Sequence, residues 1–285
     1  MQHFKTRKDI QVPKLGLGTW QAKGDECTKA VEHGLQTGYR HIDTAQIYKN
    51  EQDVGNGIKS SAVSRDEIFL TTKVWIDQFQ HDDVIVSTEE SLKKLQTDYV
   101  DLLLVHWPNE SDASFEETLR AFEELEKQGK TRLIGISNFT VNQMKQIVEE
   151  IGAPVVTNQV EYHPYIPQDP VLTYLRAKNM FLTAYSPIAQ GEVMDDEILR
   201  DIGLKYGKSA VQVTLRWLIQ QKNVVAIPKS STPEHIERNL QIFDFELDPH
   251  DMAEIDRLSG KNKRLISPDF APKWDTAKDN EQQAA

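Results

Sequence analysis

One cysteine, Cys27, occurs among the 285 residues. No internal disulfide can form, and no all-cysteine metal site either. This scarcity suits a reducing compartment. Basic residues are outnumbered, with 33 Lys and Arg against 44 Asp and Glu, for a net charge of −11. Counterion release from a phosphate backbone needs a basic surface, so no nucleic-acid partner is expected. No eighteen-residue apolar run is present, and no membrane partner is expected. Met1 to Lys8 runs into charge without an apolar stretch, so the reading is no signal peptide and a cytoplasmic location. Linkers rich in Pro, Gly or Ser are missing, which leaves residues 1–285 as one expected domain. Three motifs are lacking: a Walker A loop, a zinc HExxH, and the third glycine of a dinucleotide fingerprint. The first apolar strand offers only Gly16-Leu-Gly-Thr-Trp20. No metal is expected.

What is present is a repeating pattern. Phe4 to Val12 reads as a hairpin stopped by Pro13. Eight apolar strands follow, centred near residues 16, 42, 70, 103, 135, 157, 183 and 226. Helical spacing fills the intervals. Cys27, Ala30, Val31 and Leu35 mark a helix over 24–37, and Val54 and Ile58 one over 50–60. Val86, Leu92 and Leu95 suggest the inner stripe of a helix over 82–96. Further helices are expected over 114–128, 140–150, 168–178, 195–204, 209–221, near Pro233, and over 249–258. A repeat of about 30 residues is the length of a right-handed βα unit. Eight such units predict an α/β chain folded as a (β/α)8 TIM barrel, with a short N-terminal β-hairpin and an irregular C-terminal tail from about residue 260.

Barrel chemistry sits at the C-terminal ends of strands. Asp43, Lys73 and His106 end strands two, three and four, and Tyr48 lies five residues beyond Asp43. Each has a bland alternative: Asp43 as a helix cap, Lys73 as a snorkelling chain, His106 as a core histidine, Tyr48 as a loop residue. Burying Asp, Lys and His at successive strand ends is costly unless they pair, which favours one shared pocket. A phenol titrates near 10, and a neighbouring ammonium is expected to lower it. Asp43 holding Lys73, Lys73 beside Tyr48, and His106 orienting an oxygen make a proton donor for a carbonyl becoming an alcohol. The hydride must come from a cofactor. A Schiff-base aldolase using Lys73 is a rival chemistry.

Later strand ends differ. Ser137, Asn138, Gln159, Tyr185 and Ser186 offer amides and hydroxyls beside an aromatic ring, suited to a nicotinamide. Lys229, Ser230, Ser231 and Thr232 precede a short helix at Pro233 and read as an anion site, or as a plain helix cap. Trp20, Trp75 and Trp107 each follow a strand end and form a candidate apolar substrate wall.

These segments resemble the aldo-keto reductase superfamily over nearly the whole chain. The matching stretches are Gly38-Tyr-Arg-His-Ile-Asp-Thr-Ala45 with Tyr48, Thr72-Lys73, Leu104-Val-His-Trp-Pro108, Gly135-Ile-Ser-Asn-Phe139, Asn158-Gln-Val-Glu-Tyr-His163 and Ile227-Pro-Lys-Ser230. The resemblance implies a monomeric barrel binding NADPH, with a small carbonyl substrate. It implies Tyr48 as general acid/base, assisted by Asp43 and Lys73, with His106 orienting substrate. It also implies cofactor contacts from Gly18, Thr19, Trp20, Asp43, Ser137, Asn138, Gln159, Tyr185, Ser186, Pro187, Lys229, Ser230, Ser231, Thr232, His235, Arg238 and Asn239. The tail, with Arg264-Leu-Ile-Ser-Pro268 and Ala271-Pro-Lys-Trp274, is similar to bacterial 2,5-diketo-D-gluconic acid reductases of the B type, also described as methylglyoxal reductases. That places Trp274 in the substrate pocket with Trp20, Trp75, His106 and Trp107. One departure stands out. His235 occupies a place where the family often has an adenosine-phosphate arginine, which suggests some NADH use unless Arg238 compensates. A catalytically silent, nicotinamide-binding regulatory barrel is the alternative function.

Overall fold

The computed structural model describes residues 2–109 and 113–275. Two antiparallel strands, β1 (His3–Lys5) and β2 (Gln11–Pro13), form the hairpin. Eight parallel strands follow: β3 (Leu17–Gly18), β4 (His41–Asp43), β5 (Phe69–Val74), β6 (Val100–Val105), β7 (Thr131–Ser137), β8 (Thr157–Glu161), β9 (Phe181–Tyr185) and β10 (Val224–Ala226). They lie side by side in chain order. Their seam is joined by parallel bridges, Leu15 to Ala226 and Gly18 to Lys229. Gly16 N–H donates to the Ala226 carbonyl at 2.9 Å, and Gly18 N–H to that of Pro228 at 3.0 Å. Eight strands joined this way make a (β/α)8 barrel.

Among the described residues ten α-helices surround it: α1 (Gly24–Thr37), α2 (Glu51–Ser60), α3 (His81–Leu95), α4 (Phe115–Lys127), α5 (Val141–Lys145), α6 (Asp169–Ala177), α7 (Glu197–Tyr206), α8 (Ala210–Gln220), α9 (Pro233–Leu240) and α10 (Pro249–Arg257). None of the described helices is long and apolar enough to cross a membrane. Gly38 ends α1 with φ 115°, a left-handed turn that returns the chain to β4. The expected helix over 140–150 is divided, with α5 passing into a π-helical stretch, Gln146–Ile151.

Alternation along the strands separates two apolar clusters. Leu102 and Leu104 pack inside the barrel with Phe69, Leu133, Phe181 and Val225, while Leu103 and Val105 pack outward against the helices. Phe4 and Val12 of the hairpin join the inner cluster. The hairpin therefore seals the end where the strands begin, and polar strand ends are left for the other. One expectation fails in α3. Val86 is exposed, and the buried stripe is Val84, Thr88, Ser91, Leu92 and Leu95. A helix buries positions by angle, and Val86 lies about 200° around from Val84. Two buried positions carry hydroxyls, which hid the true face.

α1 and α2 meet at Gly57. A Cβ there would lie 2.6 Å from the Thr28 carbonyl oxygen and 2.7 Å from Val31 Cβ. Both neighbours are fixed by α1, so Gly57→Ala must push the helices apart. The expected loss is about 1–3 kcal/mol of stability in urea unfolding, the usual cost of overpacking.

Candidate active site

Strand register builds the site. Asp43 pairs with Thr71 across β4 and β5, and Lys73 lies two residues beyond Thr71 on the same face. The Lys73 ammonium is fully buried and directs its N–H groups at three oxygens. These are Asp43 Oδ1 at 2.5 Å, the Thr44 carbonyl at 2.7 Å and the Tyr48 hydroxyl at 3.4 Å. Asp43 Oδ2 accepts Gln159 Nε2–H from β8 at 2.8 Å. Tyr48 ends the short 3-10 turn Gln46–Tyr48 that follows β4. Its ring meets His106 edge-on, with centroids 5.8 Å apart, and His106 meets Trp75 likewise at 5.1 Å. The structure thus brings together Asp43, Tyr48, Lys73 and His106. His106 pairs with neither Asp43 nor Lys73, contrary to a fully shared network. Its Nδ1 is buried without a hydrogen-bond partner among the described residues.

Electrostatics correct one expectation. Burial pushes the Tyr48 phenol above its ordinary value, and the Lys73 ammonium offsets only part of that. Burial also works against the Lys73 ammonium. Asp43 and Tyr48 together outweigh it and leave that pKa raised. His106 is driven well below its ordinary 6.5, by burial first and then by the Lys73 charge. The arrangement at neutral pH is a protonated phenol, a held ammonium and a neutral imidazole.

The opposite strand ends form a second polar group. Tyr185 O–H donates to Asn138 Oδ1 at 2.9 Å, and Asn138 Nδ2–H donates to the His106 carbonyl at 3.0 Å. Ser137 O–H donates to the Gln159 carbonyl at 2.8 Å. Asn138 and Ser186 have left-handed backbone, φ 68° and 46°, where the chain turns out of β7 and β9.

A cavity of about 780 Å³ opens above both groups. Asp43, Tyr48 and His106 line it, as do Gly18, Thr19, Trp20, Asn138, Gln159, Tyr185, Ser186, Pro187 and Lys229. Trp75 and Trp107 complete the aromatic side. Ser137 lies beneath the lining. Ser230, Ser231, Thr232, His235, Arg238 and Asn239 stand outside it, on the loop after β10 and on α9. His235 and Arg238 are exposed there, and Asn239 is buried. Lys229 Nζ donates to Ser231 Oγ at 3.2 Å and sits 4.0 Å from Glu26. Trp274 is a correction. It packs on Trp107 at 6.0 Å between centroids and does not reach the lining. Leu265 to Pro268 and Phe270 provide that wall instead, with Ile47 and Gln190 also missed by the sequence reading. An isolated Phe between Pro268 and Pro272 in an irregular stretch was the available signal.

Asp248, His250 and Asp251 cluster at the start of α10, where Lys205 bonds both carboxylates, at 2.5 and 2.8 Å.

Residues 14–259 match the model of the aldo/keto reductase family. The glyoxal reductase of Bacillus subtilis (strain 168) is 42% identical over 266 residues, covering 93% of this chain and 95% of that protein. Methylglyoxal reductase DkgB of Salmonella typhi is 43% identical over 269 residues, covering 93% of this chain and 100% of that one. A solved chain proposed to be a 2,5-diketo-D-gluconic acid reductase B superposes with a TM-score of 0.92 at 45% identity, over 97% of this chain and 98% of that one. With a family match across most of its length and the barrel in place, the chain belongs to the aldo/keto reductase family.

Proposed function

We propose that this protein reduces small aldehydes, ketones and dicarbonyls of the methylglyoxal or 2,5-diketo-D-gluconate type to alcohols, with NADPH. The observation that carries the reading is Lys73, fully buried, held by Asp43 at 2.5 Å and reaching the Tyr48 hydroxyl at 3.4 Å under an open cavity.

A nicotinamide dinucleotide fits the donors and acceptors present. Gln159 Oε1 accepts no hydrogen bond among the described residues, and Asn138 Oδ1 keeps one lone pair free beside the Tyr185 ring. These are the partners a carboxamide needs next to an aromatic face. Lys229, Ser230, Ser231 and Thr232 would meet phosphate, with His235, Arg238 and Asn239 along the adenosine end. Gly18, Thr19, Trp20, Ser186 and Pro187 would border the cofactor. When bound, the nicotinamide supplies the hydride.

The chain supplies the proton. Burial keeps Tyr48 protonated, ready to donate to a carbonyl oxygen as negative charge gathers there. Lys73 then stabilises the phenolate that remains. Its own N–H groups are committed to Asp43, Thr44 and Tyr48, so it serves as a fixed charge. That commitment also argues against a Schiff base at Lys73. Neutral His106 holds the carbonyl oxygen in line with Tyr48. The aromatic side excludes water. Among the described lining residues Lys229 is the only cation, and it sits beside Glu26. Arg264, 3.8 Å over the Trp274 ring that packs on Trp107, is a second cation close to this wall, and its Nη1 is buried without a hydrogen-bond partner among the described residues.

NADPH oxidation against methylglyoxal and 2,5-diketo-D-gluconate tests the reading, with turnover of at least one of them expected. Tyr48→Phe should cost about 10²–10⁴-fold in kcat, the usual worth of a general acid, with NADPH binding by fluorescence unchanged. A wild-type protein that binds NADPH and reduces no dicarbonyl would instead be the silent regulatory barrel. In pH profiles of kcat/KM, no limb is expected near 6.5, because His106 stays neutral. The rate should fall only on the alkaline side, where Tyr48 loses its proton. For cofactor choice, His235→Arg should raise the preference for NADPH over NADH by about tenfold, the value of one charged hydrogen bond to phosphate. Equal dissociation constants in wild type and variant would remove His235 from the account.

A further inference from the structure

Glu161 ends β8, is wholly buried, and takes no part in the reduction. Its Oε1 accepts the N–H of Leu265 at 2.7 Å, and its Oε2 accepts that of Ile266 at 2.9 Å. His163 Nε2 lies 2.9 Å from Oε1. His163 Nδ1 accepts the N–H of Tyr165 at 3.3 Å, which assigns the ring proton to Nε2 and makes it a donor to Glu161. Arg264, the residue before this pair, carries the guanidinium on which the Glu161 charge acts. Apart from His163, the hydrogen-bond donors to this carboxylate among the described residues are the backbone N–H groups of Leu265 and Ile266.

That stretch opens a strap across the barrel mouth. Leu265, Ile266, Ser267, Pro268 and Phe270 line the cavity. Phe270 packs edge-on against Trp75 and Trp107, at 5.9 and 5.5 Å between centroids. Beyond it, Arg264 lies 3.8 Å over the Trp274 ring, and Asp275 accepts the Val141 N–H at the start of α5, at 2.9 Å. On the near side Lys263 N–H donates to the Tyr165 carbonyl at 2.7 Å. A carboxylate buried at a strand end is costly without donors. Here the donors arrive only when the strap is seated, so burial of Glu161 and closure of the outer wall are one event.

We propose that Glu161 is a positioning residue that seats the Arg264–Phe270 strap as the outer wall of the substrate pocket, and so sets which carbonyl bodies are held against Phe270. The proposal rests on the carbonyl-reductase reading for its kinetic readout alone. Methylglyoxal is too small to use the wall fully. Phenylglyoxal carries the same dicarbonyl on a ring that reaches it.

Glu161→Gln presents an amide N–H₂ to a backbone N–H, donor against donor. The strap should then be cut by trypsin at Lys263, Arg264 or Lys273 about tenfold faster, as expected for losing a charged hydrogen bond. KM for phenylglyoxal should rise about tenfold for the same reason, with kcat for methylglyoxal and its pH profile preserved. Phe270→Ala should raise the same KM, and the double variant should be no worse than the stronger single change, because both act through one wall. Ile266→Pro deletes one donor from the strap side and should act in the same direction, which covers a Glu161→Gln protein that fails to fold. Unchanged cleavage with an unchanged KM ratio would overturn the proposal. So would an equal loss of kcat on both substrates, or additive KM effects in the double variant. If the wild type reduces neither dicarbonyl, the functional reading falls, and the trypsin rates alone decide the clamp.

Discussion

A single buried charge, the Lys73 ammonium, constrains this site more than any other group. It has no access to solvent, so its cost must be met by partners on separate elements. Asp43 comes from β4, the Thr44 carbonyl from the residue after it, and the Tyr48 hydroxyl from the turn beyond. Asp43 in turn needs Gln159, which crosses from β8. Three strand ends, of β4, β5 and β8, therefore have to hold register for one ammonium to be tolerated. Moving β5 by one residue against β4 would turn Lys73 to the other face and leave Asp43 unpaired.

The same charge arrangement explains why the phenol keeps its proton. Lys73 favours the phenolate, but burial opposes any new charge, and Asp43 already spends much of the Lys73 field. The net effect is a phenol above its ordinary value in the resting site. A donor for carbonyl reduction benefits from this. It remains loaded at neutral pH, and the ammonium becomes most valuable only once the proton has left. The neutral state of His106 follows first from its burial and then from the nearby Lys73 charge.

Much of this was legible in the residues. The thirty-residue interval and the polar residues closing apolar runs placed the strands, and those strand ends became Asp43, Lys73 and His106. Two things were not legible. The sign of the Tyr48 shift depends on a balance between desolvation and Coulomb attraction, and spacing carries no information on depth. The outer wall depends on long-range bonds between residues about a hundred positions apart, Glu161 and Leu265. Trp274 attracted attention because it is large. Phe270 is the residue that touches the cavity, since Arg264 draws Trp274 away. Val86 failed for a related reason, because the buried face of α3 includes Thr88 and Ser91.

The two ends of the barrel solve opposite problems with similar means. At the start of the strands, Phe4 and Val12 close the interior with apolar side chains, and Arg65 and Arg132 satisfy the buried Asp101 at 2.9 and 2.7 Å. At the other end, Asn138 and Gln159 keep acceptor capacity, and His106 Nδ1 has no partner among the described residues. Polar groups with unused capacity, walled by Trp75, Trp107 and Phe270, are left free to bond a ligand in the cavity. The strap supplies closure on one side while leaving the floor open, which is the geometry a dry proton transfer requires.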